Sequence, residues 1–317
     1  MALRRRELFL AAQILFGAAV LGFAGVAIAG QWGELRAQQI TIEPHWGALA
    51  LSALLVLAAY ALLIQTWRLA LASWGMTLSF PVASRIWFVS NLGRYIPGRI
   101  WQIGALAMMA QRRGISPVAA TGASILVNLV SVLVGIAIVF AMGARVLELP
   151  AIALVAVTLA AVGTAAAPLL VPRLVTLVGG LAGKPMPAIT LPARAVWLSG
   201  LGTGLAWLLY GTAFQLLVLG TTGSAAGAWT DYVAVFVASY LAGYLALIVP
   251  DGLLVREAVI VAGLTELGLA NVADALAIAV ASRLWLTVLQ VLPGVGFLLR
   301  PQKDQRLSDP MGDASSG

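Results

Sequence analysis

Uninterrupted apolar runs decide what this chain can fold into. Leu8 to Gly30, Trp46 to Trp67 and Pro150 to Val171 each hold a stretch near the roughly 20 apolar residues that cross a bilayer. In hydrocarbon a backbone must satisfy its own hydrogen bonds within the segment, so such runs are helices. Strands of a membrane barrel would alternate in and out over about 10 residues, and no such pattern occurs. Composition agrees: 61% of the residues are hydrophobic and 10% are charged, against about 25% charged in a soluble domain. The expected fold is an all-α polytopic membrane protein.

Six segments read as full spans: 8–30, 46–67, 117–141, 150–171, 195–219 and 273–299. Two more regions, 82–110 and 231–266, are apolar but broken by Pro97 and Pro250. Unbroken, each is too long for one span; split at the proline, each gives two halves too short to cross. They read as re-entrant helical hairpins. Together these elements form a single transmembrane domain over 1–300, followed by a polar cytoplasmic tail over 301–317.

The formal net charge of +7 does not point to nucleic acid, because the basic residues sit at the ends of apolar runs and not on one patch. With the N-terminus in the cytoplasm, Arg4, Arg5, Arg6, Arg68, Arg85, Arg112, Arg113, Arg173, Lys184, Arg194, Arg300, Lys303 and Arg306 fall inside, and only Arg36 and Arg145 outside. The bias holds only if both broken regions return to the face they entered. Both termini are therefore expected in the cytoplasm of a multi-pass protein of the cytoplasmic membrane. Arg4 to Arg6 ahead of the first run imitate a secretory signal, but that run exceeds the 7–15 apolar residues of such signals and reads as a retained helix. The chain has no cysteine and a single histidine, His45, which reads as a loop residue, so neither a metal nor another cofactor is expected.

The two broken regions resemble each other. With Pro97 set against Pro250, one continues to Gly114-Ile115-Ser116-Pro117-Val118-Ala119 and the other to Gly268-Leu269-Ala270-Asn271-Val272-Ala273. A long span follows each. Similar segments entering from opposite faces mark an inverted repeat, the common plan of secondary transporters.

Arg94, Arg99, Arg256, Glu257 and Arg283 lie within these regions or the last span, where a charge costs about 2.5–3.5 kcal/mol on insertion scales. One reading is structural: Arg94 and Arg99 snorkel, and Arg256 pairs with Glu257. The other is functional. Helices starting at Gly98 and Gly252 would aim free N–H groups at the midplane, and the nearby guanidinium groups would complete an anion site suited to phosphate. Asp251 would cap its helix or repel an anion. Thr121, Ser124, Asn128 and Ser131 share one helical face, as do Arg283, Thr287 and Gln290; each stripe serves either as interhelical glue or as cavity lining. Trp67, Trp74, Trp87 and Trp101 fit an interfacial belt, and Gly200 with Gly204 fits close helix packing.

Asn91-Leu92-Gly93-Arg94-Tyr95-Ile96-Pro97-Gly98-Arg99-Ile100-Trp101-Gln102 resembles the first signature of the lysylphosphatidylglycerol synthase transmembrane family, the flippase-like membrane proteins. Pro250-Asp251-Gly252-Leu253-Leu254-Val255-Arg256-Glu257 resembles the second, normally a glycine-rich turn ending in Arg-Glu. Arg283 and Leu292-Pro293-Gly294 also fit. Asp251 and Leu254 stand where the family usually has glycine, and Val127 and Asn128 where many members place an acidic-basic pair. The best-known members flip an aminoacylated phospholipid made by a soluble C-terminal domain. Since this chain ends at Gly317, the resemblance implies the translocating half without the synthase.

The leading expectation is a flippase or scramblase, and not an enzyme, for a phospholipid or polyprenyl-phosphate-linked lipid. Arg94, Arg99, Arg256 and Arg283 would contact the phosphate. Asn91, Tyr95, Pro97, Gly98, Gln102, Asn128, Pro250, Gly252 and Glu257 would support them, with Glu257 as either a proton carrier or the partner of Arg256. No P-loop occurs, so a gradient or mass action would drive transport. Two other classes stay open: an accessory subunit of an envelope-synthesis complex, and a membrane enzyme acting on a lipid-linked substrate. The latter needs a general base or metal-holding carboxylates, whereas Glu34, Glu43 and Glu148 are scattered in outer loops. Homo-oligomerisation is also open.

Overall fold

The computed structural model describes residues 44–95, 100–143, 150–181, 191–246, 252 and 254–299. The first apolar run (8–30), the tips carrying Pro97, Gly98, Arg99, Pro250 and Asp251, and the tail at 301–317 lie outside the described residues.

Among the described residues the chain forms α-helices, one 3-10 turn and no strand. In order they are α1 (Trp46–Ala72), α2 (Phe80–Asn91), the 3-10 turn Leu92–Tyr95, α3 (Ile100–Gln111), α4 (Pro117–Met142), α5 (Pro150–Leu181), α6 (Ala193–Thr222), α7 (Trp229–Leu245), α8 (Val255–Glu266) and α9 (Val272–Leu299). Helices α1, α4, α6 and α9 are each long and apolar enough to cross a membrane. This is an all-α membrane protein. Four of the expected spans match these helices. The fifth, 150–171, falls in α5, whose apolar described stretch, Leu154–Leu170, is shorter.

Helices α1 and α6 form the centre and run antiparallel. The His45 N–H donates to the Gly220 carbonyl at 3.0 Å and Ser52 Oγ donates to the Ala213 carbonyl at 2.7 Å, while Thr66 at the far end of α1 meets Gly202. Glycine permits this approach, since a Cβ at Gly202 would overlap the Thr66 side chain and one at Gly220 would lie 2.6 Å from Leu49. Gly200 and Gly204 are not the close-packing positions: a Cβ there meets neighbours only at 3.5–3.9 Å, ordinary contact. They face Val130 and Val134 of α4 and Thr164 of α5 instead of α1.

The two broken regions each fold back into an antiparallel helix pair. In the second, Gly243 near the end of α7 meets Gly252 and Arg256, and Val235 meets Gly263 farther along α8. In the first, Gly93 meets Trp101 and Gln102, and Arg85 near the start of α2 lies within electrostatic reach of Arg113 just past α3. At about 1.5 Å per residue, the 12 residues of α2, α3 and α8 make rods of roughly 18 Å, far short of a hydrocarbon core of about 30 Å.

The halves correspond in detail. Gly114 and Gly268 both close their helices with left-handed backbone (φ 74° and 63°). The Gly114 N–H donates to Gln111 and the Ile115 N–H to Ala110; likewise the Gly268 N–H donates to Thr265 and the Leu269 N–H to Leu264. A side-chain cap then starts the next long helix, Ser116 for α4 and Asn271 for α9. Packing follows the same exchange: α2 lies on α9 as α7 lies on α4, α3 on α4 as α8 on α9, and α1 on α4 as α6 on α9. Helix α5 has no counterpart among the described residues; it packs on α4 and α6.

Candidate functional site

Where α2 ends, Asn91 is buried and donates through Nδ2 to the Trp87 carbonyl at 2.7 Å. That bond fixes the amide orientation and turns Oδ1 outward as an acceptor. Gln102 Nε2 donates to it at 2.9 Å and Arg94 Nη2 at 3.2 Å, while Arg94 Nη1 donates to Gln290 Oε1 at 3.1 Å. A polar chain thus links α3, the 3-10 turn and α9. Gly93 makes it possible, because a Cβ there would lie 2.8 Å from the Gln102 nitrogen.

Helix α8 starts later than its sequence suggests. Gly252 holds φ 64° and Leu254, the residue before the helix, holds φ 68°; neither conformation belongs to a right-handed helix. The first helical residue is Val255, not Gly252, and the cap position belongs to Leu254, which caps with no side-chain bond. Gly252 instead allows the backbone to pass against Gly243, whose Cα would lie within 2.4 Å of an added Cβ.

The expected Arg256–Glu257 pair does not form. Consecutive helical residues point about 100° apart, so the two side chains serve different neighbours. Glu257 Oε1 accepts from Arg283 Nη1 at 2.8 Å. Arg256, 7% exposed, lays its guanidinium over the Tyr240 ring with its central carbon 4.9 Å from the centroid. Its Nε–H has no hydrogen-bond partner among the described residues.

Arg94 and Arg256 line the same cavity of about 280 Å³. Both also lie within electrostatic reach of the Tyr210 hydroxyl, together with Tyr60 and Tyr240. Arg94, Arg256, Arg283 and Gln290 further line a small adjoining space of about 20 Å³. Of the four phosphate contacts read from sequence, three therefore converge, and Arg99 lies outside the described residues. Asn91, Gln102 and Asn128 line the larger cavity; of Tyr95 only the backbone is described. Thr121, Ser124, Asn128 and Ser131 face this cavity, and Arg283, Thr287 and Gln290 the smaller one. The first stripe is lining; the second lines its space and is also interhelical glue, through Arg283 to Glu257 and Gln290 to Arg94.

The aromatic wall was not legible as such. Trp67 and Trp87 belong to the cavity and not to a membrane-surface belt, with Trp67 3% exposed and its indole N–H directed to the Ala120 carbonyl at 3.4 Å. Trp101, 59% exposed, keeps the belt reading. Tyr60 stands 5.2 Å from Trp87 and 5.9 Å from Tyr210, and Trp207 stands 6.2 Å from Tyr210 and 5.1 Å from Tyr240. The rings run unbroken from α2 to the guanidinium of Arg256. One signal points to them: Tyr232, Phe236, Tyr240 and Tyr244 recur every fourth residue, one face of α7.

Compared with known proteins, the chain matches no family model and no curated protein. The functional reading rests on the geometry of the cavity.

Proposed function

We propose that this protein translocates a phosphate-bearing lipid, as a flippase or scramblase of the flippase-like family its two motifs resemble. One observation carries the reading: Arg94 and Arg256, from two matching helix pairs, line one aromatic-walled cavity around Tyr210. Two guanidinium groups suit a phosphate through charge-assisted, forked hydrogen bonds. No carboxylate stands among the described lining residues, and Glu257 is engaged by Arg283. Ile103, Ile125 and Leu129 line the cavity yet are about half exposed. Lipid tails would lie against them while the headgroup sits inside.

In this reading the helix pairs α2–α3 and α7–α8 are re-entrant hairpins, entering from the cytoplasmic and outer faces of the cytoplasmic membrane. Their exchange relation, with the central α1 and α6 antiparallel, is what an inverted repeat requires. Both termini are cytoplasmic.

The test is purified protein in liposomes with fluorescent lipids that carry or lack a phosphate. Phosphate-bearing lipids should equilibrate between leaflets and phosphate-free ones should not. Arg94→Gln and Arg256→Gln, once shown to be folded by size exclusion, should each lose about 1.5–3 kcal/mol of charge-assisted contact, or roughly ten- to a hundredfold in rate if the contact is made at the barrier. Folded variants that move lipid at the wild-type rate would overturn the mechanism. Wild-type protein that moves no lipid by itself would favour an accessory subunit.

A further inference from the structure

The small space beside the main cavity differs from it in chemistry. At about 20 Å³ it exceeds the roughly 10–15 Å³ that admits one water-sized particle. Arg94, Arg256, Arg283, Gln290 and Tyr210 line it. Among the described residues two donors there are unsatisfied and deeply buried: the Nε–H of Arg256, a residue 7% exposed, and the Nε2–H of Gln290, 3% exposed. The Gln290 amide cannot turn to offer its oxygen, because Oε1 already accepts from Arg94 at 3.1 Å. An unmet buried donor costs about 1–3 kcal/mol, so two in one cage call for an occupant that accepts several hydrogen bonds at once.

We infer that this space is a halide site, taking one chloride ion between Arg256 and Gln290. Water fits the volume but suits the chemistry less well. A water could donate to the lining hydroxyls of Tyr210 and Thr287, but both unmet groups are donors and three guanidinium groups surround the space. A monatomic anion accepts from every side, and the guanidinium groups supply the charge that a buried anion requires. The site stands whether or not the larger cavity carries lipid, so its test does not depend on transport.

The measurement is thermal unfolding of the purified full-length protein in detergent, at constant ionic strength, with sodium gluconate exchanged stepwise for sodium chloride. Binding to the folded state alone predicts a saturable rise, roughly 5 °C at a hundredfold excess over Kd. Bromide should act similarly. Gln290→Leu and Arg256→Gln should each weaken the apparent chloride affinity at least tenfold. A wild-type response to inorganic phosphate with none to chloride would assign these donors to a phosphate site and overturn the inference. A flat response to every anion would leave water as the occupant and overturn it equally. An undiminished chloride effect in both folded variants would place the ion elsewhere. Should neither variant fold, crystals of the wild-type protein grown in bromide decide: anomalous density between Arg256 and Gln290 supports the site, and none refutes it.

Discussion

Removing the carboxylate of Glu257 tests the site's internal electrostatics directly. Its side chain is 13% exposed and that of Arg283 10%, and they meet at 2.8 Å, so solvent screens the pair little. Breaking a buried pair from one side costs about 3–5 kcal/mol, because it leaves a desolvated charge uncompensated. Against a total stability of about 5–15 kcal/mol, that is a large fraction. Glu257→Met should therefore lower the detergent melting temperature by on the order of 10 °C, followed by fluorescence-detected size exclusion during a heating series. Glu257→Gln should lose about half as much, since its amide oxygen can still accept from Arg283. The decisive comparison is between double variants. Glu257→Met with Arg283→Met removes both charges and should recover most of the loss, whereas Glu257→Met with Arg256→Met should recover none, because Arg256 rests on Tyr240. Equal recovery in both doubles, or a single variant that melts normally, would refute the pairing.

Three further outcomes follow from the packing and the charge distribution. Tyr240→Leu removes the ring beneath Arg256 and should cost about 2 kcal/mol if the cation is desolvated, while Tyr240→Phe should behave as wild type; melting temperatures of the two variants compare them. Gly252→Ala, with φ 64° and the Gly243 backbone in the way, should cost about 1–3 kcal/mol, whereas Gly200→Ala and Gly204→Ala should melt within a few degrees of wild type; the reverse ranking would mean the α7–α8 turn is misplaced. In a chain with no cysteine of its own, single cysteines at Ser116 and Ser224 report sidedness. An impermeant maleimide added to intact cells should label the second and spare the first, and equal labelling would sink the paired-hairpin topology.

The sequence by itself determined the architecture, because hydrocarbon leaves few options. Apolar runs long enough to span, with no internal alternation, must be helices, and those over 46–67, 117–141, 195–219 and 273–299 match long apolar helices of the structure. The breaks near Pro97 and Pro250 were readable for the same reason: an apolar region too long for one helix and interrupted by proline has to turn. The likeness between Gly114 and Gly268 was also visible, since a left-handed turn is written in local glycine chemistry. Which side chains meet was not. Glu257 and Arg256 are neighbours in the chain but point to different faces, so the ion pair runs to Arg283 on α9. The tryptophans at 67 and 87 have the composition of an interfacial belt, and only the packing of α1 and α2 turns them inward. Gly202, and not Gly200 or Gly204, is where α1 approaches α6, because contact depends on the azimuth of each helix, which is set by all its neighbours at once. Local sequence carries periodicity and turn chemistry, but the cavity brings Arg94 to Tyr210 and Arg256, each more than a hundred residues further along the chain, and their register is decided by tertiary packing.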